Sequence, residues 1–147
     1  MPVSATPLPF ARARSAAQRR DRLSQLTAVT RELLTHTRAA ALTLGDVATA
    51  AGMAKSGILR YSGSREALLL RAMHEEHLDW IDALADQLAD EGPAAALTRT
   101  LAARPVLCDL IAASPVLIGR LSPDEMRVLV TQANDAQGRL GAALRPW

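Results

Sequence analysis

The sequence predicts an all-α protein: an N-terminal three-helix unit, a long linking helix, and a small C-terminal helical part. Three observations lead there. The 147 residues hold 29 Ala and 23 Leu against 7 Val and 4 Ile. Ala and Leu favour helices, whereas strands want β-branched and aromatic side chains, and only Phe10, Tyr61, Trp80 and Trp147 are aromatic. Between recurrent capping and breaking residues, the apolar positions repeat at intervals of three and four, the helical period.

Residues 1–14, rich in Pro and Arg and without periodicity, read as a flexible arm. Ser15-Ala-Ala-Gln18 fits a capping box, and Leu23, Leu26, Thr30, Leu33 and Leu34 then describe one amphipathic helix ending near His36. Thr37 to Leu42 form a connection. Thr43-Leu-Gly-Asp46 is a second capping box, opening a short helix through Val47, Ala48 and Ala51 that stops at Gly52. A third helix is expected from Lys55 to Tyr61, ended by Ser62-Gly63-Ser64. Ser64 then caps a much longer helix with Glu66 in its first turn and an inner stripe of Leu69, Met73, Trp80, Ile81, Leu84 and Leu88.

Gly92-Pro93 restarts the chain, with helices expected over Ala94–Ala103 and from Pro105 through Ala113 before Pro115 and Gly119 interrupt. Ser122-Pro123-Asp124-Glu125 is a strong start signal for a last helix. Its near-heptad row Met126, Val130, Ala133, Gln137, Leu140 and Leu144 offers a seam for a homodimer. The expected division is an arm (1–14), a three-helix domain (15–64) and a helical dimerisation and effector domain (65–147).

Several function classes fall away. The uncharged stretch Leu110 to Gly119 is ten residues long and holds a proline, too short to span a bilayer. Prolines near the start break the apolar run that a signal peptide needs. A cytoplasmic protein without membrane attachment is expected. The single cysteine, Cys108, can build neither a disulfide framework nor a zinc cage, and beside Asp109 it lacks the electropositive setting of a nucleophile. His74-Glu-Glu-His77 has three-residue rather than four-residue spacing and no third ligand. No Ser-His-Asp order, phosphate loop or dinucleotide fingerprint occurs. Neither an enzyme nor a metal or other cofactor is expected.

Charge is unevenly placed. Residues 1–65 carry ten basic and three acidic residues, a net of +7, while residues 66–147 carry seven basic and twelve acidic residues, a net of −5. An N-terminal part that meets a polyanion would have this balance. Thr43 to Tyr61 reads as a helix-turn-helix, whose second helix enters the DNA major groove. Leu44, Val47, Ala48, Ala51, Met53 and Ile58 supply its core, and Lys55, Ser56, Gly57, Arg60 and Tyr61 its outward face. Lys and Arg can neutralise phosphates, and Arg can take a guanine edge bidentately.

The run Leu44-Gly-Asp-Val-Ala-Thr-Ala-Ala-Gly-Met-Ala-Lys-Ser-Gly-Ile-Leu-Arg-Tyr-Ser-Gly-Ser-Arg-Glu-Ala-Leu-Leu-Leu70 resembles the N-terminal DNA-binding domain of TetR-family transcriptional regulators. Ser64-Arg-Glu-Ala-Leu-Leu69 is its most distinctive part, similar to the family's Ser-Lys-Glu-x-Leu-Leu, and the resemblance covers roughly residues 20 to 75. It implies a homodimeric repressor on double-stranded DNA with a two-fold operator, released by a small ligand. It places Thr43 facing a phosphate, Lys55, Ser56, Gly57, Arg60 and Tyr61 on the recognition helix, and Arg65 beside the DNA backbone. Three positions depart from the family pattern: Ser62 for Phe, Leu59 for Tyr and Ala54 for a capping Ser. Neighbours such as Tyr61, Leu59 and Met73 are expected to fill part of the space that Ser62 leaves. An apolar effector would sit among Trp80, Leu84, Leu88, Leu107, Leu110 and Ile111, which could equally be plain core. The alternative reading is a shortened paralogue acting as a protein-interaction module with weak or no DNA binding.

Overall fold

In the computed structural model, which describes the backbone of residues 9–147 and the side chains from residue 15 onward, seven α-helices follow one another and no strand occurs among the described residues. They are α1 (Pro9–Leu34), α2 (Leu44–Ala51), α3 (Lys55–Ser62), α4 (Arg65–Glu91), α5 (Pro93–Ala102), α6 (Pro105–Ile118) and α7 (Pro123–Leu144). The protein is all-helical, as its composition predicts.

The first helix corrects the expected start. Ser15 lies inside α1 rather than at its cap, because helix-forming Ala and Arg surround it and nothing after Pro9 breaks the turn. Pro9 fits a helix start, where its missing N–H would have had no partner. The rest of the predicted arm, residues 1–8, lies outside the described residues. Downstream, the cap signals hold. Thr43 and Asp46 make the reciprocal capping box of α2, Gly52 ends α2 with left-handed φ of 63°, and Ser64 accepts a hydrogen bond from Ala67 N–H. Ser122 and Glu125 form the second box, at the start of α7.

Pro115 does not stop α6, contrary to the expected end near Ala113. A helical proline leaves the carbonyl four residues back without its donor. Here that carbonyl, on Ile111, accepts the Ser114 hydroxyl at 2.8 Å, and the helix continues to Ile118.

Two apolar clusters share α4, which at 27 residues is about 40 Å long. The proximal cluster joins Leu26 and Leu34 of α1, Val47 and Ala48 of α2 and Ile58 of α3 to Leu68, Leu69, Leu70 and Ala72 of α4, with Leu110 and Leu117 reaching in from α6. The distal cluster packs Trp80, Ile81, Leu84 and Leu88 of α4 against Ala96 of α5, Leu107 of α6 and Ala136 of α7. Inside it the Trp80 indole N–H donates to the Thr100 hydroxyl at 3.0 Å, and that hydroxyl donates to the Ala96 carbonyl at 2.7 Å. No single helix among the described residues is long and apolar enough to cross a membrane; α5 and α6 reach that apolarity only together, bent by 87°.

Candidate nucleic-acid interface

The outer surface of α2 and α3 is built from the capping box outward. Thr43 N–H and Oγ1 both donate to Asp46 Oδ2, at 2.8 and 2.6 Å, while Thr43 Oγ1 accepts from Asp46 N–H at 3.1 Å. The hydrogen bonds from Thr43, its hydroxyl first and then its backbone, hold the Asp46 carboxyl below its ordinary range, and Lys55 adds to the effect. Lys55 itself lies across Gly45: a Cβ at Gly45 would stand 3.2 Å from Lys55 Cε and 3.4 Å from Thr43 Oγ1. Thr43 and Lys55 therefore converge at the N-terminal end of α2, and the absence of a side chain at Gly45 lets the lysine settle there.

Helix α3 starts without a side-chain cap, since Ala54 carries no acceptor. Lys55, Ser56 and Arg60 are exposed along it, with Leu59 beside them at 39% exposure. The other two positions expected on this outward face turn partly inward. Gly57 backs onto Met53, whose Cε lies 3.3 Å from where a Cβ would be, and Tyr61 is half-buried against the proximal cluster. At the far end of α3, Arg19 of α1 donates from Nη2 to the Arg60 carbonyl at 2.8 Å. Arg19, Arg20 and Arg22 are exposed on α1, and Arg22 lines a groove with Tyr61. In the sequence these arginines stand out only as charge; the one positional signal is that Arg19 and Arg22, three residues apart, share a helix face.

Arg65 requires a correction. Its guanidinium does not face outward but closes the connection between α1 and α2. Nε donates to the Leu42 carbonyl at 2.6 Å, and Nη2 to the Ala39 carbonyl at 2.6 Å and to Ala40 at 3.4 Å. A turn with three carbonyls and no helical donors needs such a partner. The same connection is held from the other side by Asp109 of α6, which accepts from Ala39 N–H at 2.6 Å and from Arg38 Nε at 3.0 Å. Arg31 is likewise committed, to Glu76 at 2.7 Å and Asp79 at 2.5 Å on α4. The basic excess of residues 1–65 is thus partly consumed in holding helices together.

The six residues expected around an effector do not converge on one cavity. Trp80, Leu84, Leu88 and Leu107 fill the distal cluster, Leu110 fills the proximal one, and Ile111 is 47% exposed. The dimer seam also divides. Leu140 and Leu144 pack inward on the distal cluster, Met126 is half-buried, and Val130, Ala133 and Gln137 are exposed. Among the described residues no group of three or more His, Cys, Asp or Glu side chains could hold a metal ion. His77 instead stacks on Trp80, with ring centroids 5.5 Å apart.

Ser62 has a hydrogen-bond partner but leaves space. Its hydroxyl donates to the Ile58 carbonyl at 3.1 Å, and beside it remains a cavity of about 160 Å³ among α1, α3, α4 and α7. Tyr61 lines this cavity as expected, but Leu59 faces outward and Met73 packs against the two clusters. The void is only partly filled. Compared with known proteins, the chain matches no family model and no curated protein.

Proposed function

We propose that this chain is a DNA-binding transcriptional regulator that acts as a homodimer on a two-fold site, with α3 as its reading helix in a helix-turn-helix. The observation that carries the reading is the acid-free outer face of α3. Lys55, Ser56 and Arg60 are exposed there, next to an uncapped helix start whose free amides suit an anion. The resemblance of residues 20–75 to the TetR family and the exposed arginines of α1 support it. In this reading Lys55 meets a phosphate and Arg60 reads a base edge, while Thr43, whose donors are both taken by Asp46, shapes the helix start on which the lysine rests. Arg65 acts only by setting the turn that carries Thr43.

Pairing through α7 would use its exposed face, where Val130, Ala133, Gln137 and Gly141 lie in a row and the glycine permits close approach. A two-fold pair would set two α3 helices roughly 34–36 Å apart, one turn of duplex. The second reading, a protein-interaction module, draws on the internal use of Arg65 and the void beside Ser62, both of which weaken a DNA reader.

Alanine substitutions separate the roles. Arg60→Ala should lose about 1–3 kcal/mol at the cognate site and relax specificity there, whereas Lys55→Ala should weaken all sequences alike and lower the salt dependence. Fluorescence-anisotropy titrations across a salt series measure both. Equal affinities of wild type and both variants for every duplex would leave the interaction module as the better reading.

A further inference from the structure

The cavity beside Ser62 has a chemical character that the fold does not need. Its walls are apolar on three sides, from Leu23 of α1, Leu68 of α4 and Val128 of α7, with the Tyr61 ring of α3 beside them. Arg71, Gln132 and Ser62 are among the polar residues of the lining. Arg71 Nε is buried and has no hydrogen-bond partner among the described residues. Its nearest carboxylate oxygen, on Glu75, is 4.0 Å away, beyond hydrogen-bond reach, and the other oxygen of that carboxylate lies 3.6 Å from Arg31. Glu125 also borders the cavity, but its carboxylate is already engaged. Burial opposes its charge, yet hydrogen bonds from the Ser122 backbone and from the Ser64 and Ser122 hydroxyls prevail and hold it below the ordinary range. A buried donor without an acceptor is uncommon in a folded protein; this nitrogen is turned toward Glu75 and has no accessible surface, so an occupant of the cavity would reach it by drawing the guanidinium round from Glu75.

We propose that this cavity binds a small carboxylic acid with an apolar body, its carboxylate received by Arg71 and Gln132 and its body held between Leu23, Leu68 and Val128. Size limits the ligand. A cavity on the order of 150 Å³ admits a single benzene-sized ring, so the 160 Å³ here suits one ring or a short branched chain with its acid group. Planar guanidinium and carboxylate groups match in shape and charge, which favours an acid over a neutral molecule of equal size. An occupant would touch α3 at its last turn, α1 beneath it, and α7 opposite, and so tie the outer helix of the N-terminal unit to the C-terminal helix. That such binding alters DNA affinity rests on the regulator reading above; the binding itself does not.

Benzoate is a suitable probe, with benzylamine as the cation of matching shape. Isothermal titration of the full chain should show saturable benzoate binding with a Kd on the order of 1 mM or tighter, as befits so few atoms. Benzylamine should show none. Arg71→Met should weaken benzoate at least about tenfold while Arg71→Lys keeps part of the affinity. Val128→Trp, which fills the void from the α7 side, should abolish binding while circular dichroism reports an unchanged helix content. Failure of benzoate to saturate, equal binding of benzylamine, or undiminished binding to Arg71→Met would overturn the site. Benzoate binding without any change in DNA affinity would overturn only its regulatory use. Specific DNA binding without benzoate binding would remove the site and leave the regulator reading standing.

Discussion

Ser62 and Arg65 show what a single position can and cannot tell when only its chemistry is visible. At Ser62 the missing ring foretold unfilled space, and the serine borders a void of about 160 Å³ with its hydroxyl turned back onto the Ile58 carbonyl. Ser62→Phe would place a ring in that void. Burying the ring fully would stabilise by about 1.5–3 kcal/mol, and because the void is open at one side the gain belongs at the low end. A rise in melting temperature is therefore expected in a thermal scan, together with loss of any ligand held there; a fall would mean that the neighbours have no room to accept the ring. Arg65 was legible as a cation at a helix start and illegible as a clamp. The need it meets arises from three carbonyls of the α1–α2 connection, and which side chain reaches them depends on tertiary placement.

At the scale of elements, legibility followed the locality of the signal. The boxes Thr43–Asp46 and Ser122–Glu125, the left-handed Gly52 and the Ser64 cap are interactions within four residues, and each helix they start or stop lies where they predict. The starts of α1 and the end of α6 were missed because a rule of thumb met a local rescue. Ser15 is a good cap that a continuing helix overrode, and Pro115 is a breaker whose orphaned carbonyl found the Ser114 hydroxyl. The stripe on α7 mixed two faces, since a row of nearly heptad spacing cannot say which of its members face α4. Between elements, the hydrogen bond from Trp80 to Thr100 is a buried polar link that joins α4 to α5 inside the distal cluster. Thr100→Val keeps the shape but leaves the indole N–H buried and unpaired, at a cost of about 1–3 kcal/mol. Urea unfolding followed by tryptophan fluorescence should show that loss. An unchanged midpoint would mean that the indole finds another acceptor.

For the whole molecule, charge does two kinds of work. Arg31, Arg38 and Arg65 bind the N-terminal helices to α4 and α6, while Lys55, Arg60 and, on α1, Arg19, Arg20 and Arg22 remain outward. Acid should loosen the assembly in two stages. Burial lowers His77 below the ordinary value of 6.5, and it lowers His74 in spite of nearby Asp135. A depressed histidine binds fewer protons folded than unfolded, so stability is full above about pH 6.5 and falls as the pH drops through that value. Asp46 and Glu125, also depressed, add their loss only below the ordinary carboxylate values of 3.8 and 4.5. Melting temperature should therefore decline from pH 7.5 to 5.5, and the double variant His74→Gln, His77→Phe should flatten that decline. An equal decline in the variant would place the proton uptake elsewhere. On the proposed reading, the outer face of α3 reads duplex DNA. The most direct test of that reading is titration of the wild-type chain with genomic and random duplex at near-physiological salt. A subset of fragments should bind at least about a thousandfold more tightly than random duplex, two chains per site, with affinity falling steeply as salt rises. Equal, weak binding to all duplexes, or none, would contradict it.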